Sequence, residues 1–176
     1  MLLRGVAIVD ATSTVCALEH DSHMQGKITP SITVASFLPY TELPSAPDGI
    51  PVPLRRKGRE ATLLVRIHSA ACPVCRRYIT ELTAAATDLA SWDGRVMILV
   101  PGPLDQASAL RTELELPFLV LSDADDRIPL GDDATLVVAD RYGHVYFVQQ
   151  AGLGHELPPP QEVEEWLKFL ATQCPE

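Results

Sequence analysis

Cys72-Pro73-Val74-Cys75 follows directly on residues 61–68, the most strand-like run of the chain, and opens an alanine- and leucine-rich stretch with helical spacing. No other feature constrains the fold as tightly. A buried strand must end where a helix begins, and two thiols must meet across the first helical turn. The first thiol then lies near the positive end of the helix dipole, where a thiolate is stabilised. Thiols so placed can have pKa values lowered to roughly 3.5–7.5. The arrangement suits thiol–disulfide exchange, in which one thiolate attacks a disulfide and the second resolves the mixed intermediate.

Two plainer accounts compete with that chemistry. The pair can be structural, since buried free cysteine behaves as a small apolar residue. It can also be half of a zinc site, but no second C-x-x-C and no H-x3-5-H follows in the chain. His20 and His23, in a polar stretch, offer only an unsupported second half, so no metal and no other cofactor is expected. Cys16 reads as a small strand residue, and Cys174 as part of an apolar helix stripe.

With 176 residues, 47% of them apolar, the chain has the material for one ordinary core. Fourteen basic against 23 acidic residues give a net charge of −9. That balance argues against nucleic acid and anionic membrane surfaces as partners. The one basic cluster, Arg55-Arg56-Lys57-Gly58-Arg59, reads as an exposed turn before the strand at 61. No run approaches 18 apolar residues, and Asp10 interrupts the apolar start that a secretory signal would need. Four cysteines do not make a disulfide framework, so a cytoplasmic setting is expected.

Alternation over residues 4–19 predicts a β-hairpin turning at Asp10-Ala11-Thr12-Ser13. Residues 31–37 read as a further strand, and 39–53 as a proline-rich connection. Residues 61–68 and 95–100 read as buried strands. Tyr78, Leu82, Ala85, Ala86 and Leu89 share one helical face, which Gly94 closes. Pro103 fits the first turn of a helix over 103–115. A short strand at 118–121, an acidic loop from Asp123 to Asp133, and a hairpin of 135–139 with 144–149 follow. The last helix, 160–173, puts Val163, Trp166, Leu167, Leu170 and Cys174 on one stripe.

From residue 61 onward the order is β-α-β-α-β-β-β-α, and right-handed crossovers make its first strands parallel. With C-x-x-C at the end of the first of them, residues 45–173 resemble the thioredoxin-like superfamily. Pro117-Phe118-Leu119-Val120-Leu121-Ser122-Asp123-Ala124-Asp125 is similar to the P-F-x-x-L-x-D-x-D-G run of its peroxiredoxin-related redoxin branch. Asp48-Gly49-Ile50-Pro51-Val52-Pro53-Leu54 and the run from Thr135 to Gly143 resemble that branch's D-G-x-x-V-x-L hairpin and T-F-V-I-D-x-x-G strand. The resemblance implies an α/β, three-layer fold, a mixed sheet flanked by helices, over residues 41–176. Residues 1–40 form an N-terminal β extension outside it.

For the site, Cys72 is the expected nucleophile, as the N-terminal and more exposed thiol, and Cys75 the resolving thiol. Pro73 starts the helix between them. Arg76 and Arg77 add positive charge that favours a thiolate, and His68 is placed to pair with one. The resemblance further sets His68 and Cys72 at the proline and threonine of a peroxiredoxin's P-x-x-x-T-x-x-C, with Cys75 as its peroxidatic cysteine. It sets Asp133 near the peroxide-activating arginine, and Ala134 at the cis-proline beside the thiols. The buried aspartate of thioredoxin falls on Arg66.

Three functions from different classes follow as expectations. One is a thiol–disulfide oxidoreductase acting on protein disulfides and recycled by a dithiol reductant. Another is peroxide reduction with Cys75 or Cys72 as the peroxidatic thiol. The third is a redox-silent module whose N-terminal hairpin binds a partner or a second copy.

Overall fold

Residues 31–56, 58, 60–152 and 156–173 are described by the computed structural model. The expected hairpin over residues 4–19, together with Cys16, His20, His23 and Cys174, lies outside them. The elements are β1 (Glu42–Ser45), β2 (Ile50–Pro53), β3 (Ala61–Arg66), α1 (Pro73–Ala84), α2 (Ala86–Ser91) and β4 (Gly94–Val100). They continue with α3 (Leu104–Glu113), β5 (Leu119–Ser122), β6 (Thr135–Ala139), β7 (Val145–Gln150) and α4 (Pro160–Thr172).

The aliphatic runs take the middle of a seven-stranded mixed sheet of order β2-β1-β5-β4-β3-β6-β7. β3 pairs in parallel with β4, and β4 with β5. On the other side β6 runs antiparallel to β3 and leads into the antiparallel edge strand β7. Strands buried on both faces need apolar side chains at every position, and β3 and β4 supply them almost without interruption.

Alternation along β3 divides the interior in two. Leu63, Val65 and Ile67 belong to a cluster shared with both cysteines, Ile79 and Leu82 of α1, Leu110 of α3, and Leu167 of α4. Leu64 belongs to a second cluster on the opposite face, closed by Ile32, Leu38, Leu54, Ile128 and Leu130. Among the described residues, the helices thus cover one face, and irregular chain packs on the other.

Three local expectations are corrected. Residues 31–37 form a turn rather than a strand. Ala35 takes φ of +67° and the Ser36 hydroxyl donates to the Thr33 carbonyl at 2.6 Å, leaving Phe37 as an isolated bridge to His144. The connection over 39–53, read from its prolines as irregular, contains instead the hairpin that the resemblance placed at 48–54, β1–β2, with Pro44 opposite Pro51. Pro51 and Pro53 are tolerated because β2 lies at the sheet edge, where the missing N–H leaves no ladder bond broken. Finally, the helix over 73–90 breaks at Ala85 (φ −91°, ψ 4°). The Ala85 N–H divides its bond between Glu81 and Leu82, a tightening of the last turn, and α2 then carries the buried Leu89 against β4.

Candidate active site

The site is assembled by the end of β3 and the start of α1. The chain leaves β3 through Ile67, turns at residues 68–71, and enters α1 with Pro73 at a position where a missing N–H is harmless. Cys72 occupies the helix N-cap in extended conformation (φ −68°, ψ 122°), and its sulfur caps no backbone amide. Its N–H donates to the Ser69 carbonyl at 3.2 Å, and its own carbonyl accepts the Arg76 N–H at 3.0 Å. Those two bonds fix the turn, so the first thiol sits at the dipole's positive end.

Both thiols are free and buried. Cys72 is 9% exposed and Cys75 4%, so the expected difference in access is in the expected direction but small. His68, half-buried, turns its Nδ1 to within 3.3 Å of the Cys75 sulfur. The imidazole nitrogen and the two sulfurs all lie within 4.8 Å of one another. His68 therefore meets a thiol, and the thiol is the second of the pair.

Burial raises the pKa of the Cys75 thiol above its ordinary 9.0. The nearby Cys72 adds to that rise, while backbone hydrogen bonds from His68 and Ser69 oppose it. Desolvation wins, so Cys75 at rest is a thiol. Forming its thiolate requires a base or a compensating cation.

The arginines expected to activate the thiols are held by other partners. Arg76 donates Nη1 to the Ala70 carbonyl at 3.2 Å and Nη2 to Glu113 of α3 at 2.7 Å. It braces the turn before Cys72, with its charge offset by a carboxylate. Arg77 is exposed, 3.9 Å from Glu81. Asp133 turns to the sheet edge, its carboxylate accepting from Gln150 Nε2 at 3.3 Å. Ala134 is fully buried in the cluster that holds both cysteines. Among the described residues the one cis peptide is Ala46–Pro47, so the bond before Ala134 is trans.

Arg66 faces the second cluster, away from the thiols, and pairs with Asp123 at 3.4 Å and Asp126 at 3.0 Å. Asp123, at the head of the acidic loop, is accordingly buried. Sequence reasoning also missed Tyr78, whose hydroxyl donates to the Pro158 carbonyl at 2.9 Å and ties α1 to the lead into α4. The only signal for it was an aromatic residue with a polar tip on an otherwise apolar helix face.

No family model matches the sequence, and no curated protein does. Solved structures do match. The bacterioferritin comigratory protein of Xanthomonas campestris, studied for alkyl peroxide reduction, superposes with a TM-score of 0.68 at 14% identity, over 80% of this chain and 100% of its own. The peroxidoxin BcpB of Mycobacterium tuberculosis gives 0.68 at 16% identity, over 81% and 99%. A candidate thiol:disulfide interchange protein DsbE of Chlorobium tepidum gives 0.66 at 16% identity, over 80% and 99%. The chain thus has a thioredoxin-like α/β fold.

Proposed function

We propose that this protein is a thiol–disulfide oxidoreductase in which Cys72 attacks and Cys75 resolves. The observation that carries the proposal is the contact of His68 Nδ1 with the Cys75 sulfur, 3.3 Å, in a C-x-x-C at the mouth of a strand–helix turn. Exchange needs two thiols in different protonation states. Cys72 sits at the N-cap, by the positive end of the helix dipole, while burial keeps Cys75 protonated until it is needed.

In the forward half-reaction the Cys72 thiolate attacks one sulfur of a protein disulfide. A mixed disulfide forms and the other substrate sulfur leaves as a thiolate. Cys75 then gives its proton to His68 Nδ1 and attacks the Cys72 sulfur. The Cys72–Cys75 disulfide closes, and the second substrate thiolate leaves and is protonated by the imidazolium. The substrate disulfide gains the two electrons that the protein dithiol loses, and an external dithiol reductant restores the pair. The setting proposed is the reducing cytoplasm. No helix among the described residues is long and apolar enough to cross a membrane.

Mass spectrometry after mild oxidation and alkylation tests the proposal. A Cys72–Cys75 disulfide that dithiothreitol removes is expected, and failure to form it at any accessible potential overturns the proposal.

Peroxide reduction is the second reading, supported by the peroxide-related proteins among the structural matches and by the same His68 contact. Here one thiolate, Cys75 or Cys72, attacks a peroxide oxygen, giving a sulfenic acid and an alcohol. The other thiol condenses with it to the disulfide and water. The hydroxyl and guanidinium expected to stabilise the departing oxygen have no counterparts at Cys72 and Asp133. A sulfenylation rate no faster than that of free cysteine excludes this reading. A redox-silent binding module, the third expectation, requires that function survive replacement of both cysteines by serine.

A further inference from the structure

The third ligand that the sequence withheld from the cysteine pair is supplied by the end of β3. His68 Nδ1, Cys72 Sγ and Cys75 Sγ form the one cluster of three such ligand groups among the described residues, all within 4.8 Å of one another. We propose that the reduced protein binds one zinc ion through these three atoms, as an H-x3-C-x2-C site distinct in chemistry from disulfide exchange.

Distances favour the assignment. Zinc–sulfur bonds of about 2.3 Å and zinc–nitrogen bonds of about 2.0–2.1 Å, at tetrahedral angles, set a nitrogen about 3.6 Å and a second sulfur about 3.8 Å from a given sulfur. His68 Nδ1 and Cys75 Sγ stand at 3.3 Å, within a few tenths of an ångström of that requirement. The Cys72 sulfur lies within 4.8 Å of both, so a side-chain rotation there closes the remaining distances.

Charge favours it too. Two thiolates neutralise a divalent ion, so the filled site carries no net charge into a buried position. A monovalent ion held by the same thiolates would leave one negative charge there. A dication at bonding distance also deprotonates a coordinating thiol outright, so the two cysteines enter the site as thiolates. The fourth position falls to water or an external ligand, since no fourth histidine, cysteine or carboxylate joins the cluster among the described residues.

The test uses the full chain, reduced with a phosphine, stripped with a chelator and titrated with cobalt(II) as a spectroscopic stand-in for zinc. One ion per chain is expected, with a sulfur-to-cobalt charge-transfer band and the strong visible bands of four-coordinate cobalt, all abolished by added zinc. Cys72→Ser and Cys75→Ser should each lose charge-transfer intensity, and His68→Ala should weaken binding. The Cys16→Ser/Cys174→Ser protein should keep the full spectrum. Cobalt bound without a sulfur band, one ion per two chains, or a spectrum indifferent to Cys72 and Cys75 overturns the site. A serine at buried Cys75 can disturb folding, so the unmodified protein carries a second measurement. Zinc should slow alkylation of both Cys72 and Cys75, and unchanged rates also overturn the site. Disulfide exchange measured on the metal-free protein is a separate readout, so failure of either idea is distinguishable from failure of the other.

Discussion

Arg66 and Asp123 form an ion pair inside the second cluster, Nη1 to Oδ2 3.4 Å, with side chains only 3% and 0% exposed. The two partners are not equally supported. Asp123 also accepts the backbone N–H groups of Arg127 at 2.7 Å and Ile128 at 3.2 Å, so it anchors the chain after β5. Arg66 keeps a buried Nε without a hydrogen-bond partner, and its other contact, Asp126, is exposed. Removing one partner of a buried pair costs about 3–5 kcal/mol. Asp123→Ala should reach the upper end, because it strands a buried guanidinium and two amides. Arg66→Met should cost less, since it also removes an unsatisfied donor. Urea unfolding of both variants checks the order, and equal or reversed costs would refute this account of the pair.

His68 is expected to act on the second chemical step. In the His68→Ala protein Cys72 should still attack a model disulfide, but Cys75 loses its proton acceptor. General-base catalysis contributes typically 10²–10⁴-fold, so resolution at neutral pH should slow by about that factor. A Cys72 mixed disulfide should then accumulate and be seen by rapid acid quench and mass spectrometry. Unchanged resolution would assign proton removal from Cys75 to another group.

The parts of the fold legible in the sequence were those with a long period or a run. β3 and β4 are largely aliphatic stretches, and α1 carries Tyr78 and Leu82 on one face. Composition hid hairpin β1–β2, because Pro51 and Pro53 read as breakers whereas the edge strand β2 accepts them, and only the resemblance of residues 48–54 placed a hairpin there. Break at Ala85 left no trace in a run of alanines, because it serves α2's packing on β4. In the site, the C-x-x-C and His68 were legible from spacing. The Arg66–Asp123 pair was not, since 57 residues separate the partners and only the sheet joins them. The Arg76–Glu113 contact was hidden for a similar reason, the partner lying 37 residues away on α3.

Stability of the reduced, metal-free protein should fall in alkali through Cys75. Burial raises this thiol's pKa in the folded state above its ordinary 9.0. The folded form therefore prefers the protonated thiol, and the unfolded chain releases its proton first as pH rises. The contribution is fully present below pH 9.0 and is lost as pH rises through the higher folded value. Tyr78 acts in the same sense, since burial raises it above its ordinary 10.0. Between pH 9 and 10 the slope of stability should thus be shallower in Cys75→Ala than in the parent. Tyr78→Phe should change that slope only at higher pH. Identical slopes for the parent and Cys75→Ala would show that the thiol's burial carries no linkage.

The junction of β4 with α4 sets the last expectation. Gly94 opens β4, and a methyl group there would stand 2.6 Å from Leu167 Cδ1 and 2.7 Å from the Leu89 carbonyl oxygen. A leucine terminus can shift, but the carbonyl belongs to the backbone of α2. Gly94→Ala should therefore destabilise by about 1–3 kcal/mol, the usual cost of overpacking. Leu167 is fully buried, so Leu167→Ala should cost about 2–5 kcal/mol. Trp166, on the same stripe, is only half-buried and leans on Phe147 with ring centroids 5.1 Å apart. Trp166→Ala should fall below the roughly 3–5 kcal/mol of a fully buried tryptophan, and below Leu167→Ala despite the larger side chain. Thermal unfolding of the three variants measures the ranking. A cost for Trp166 above that for Leu167 would mean that the aromatic contacts, rather than the leucine, seat α4 on the sheet.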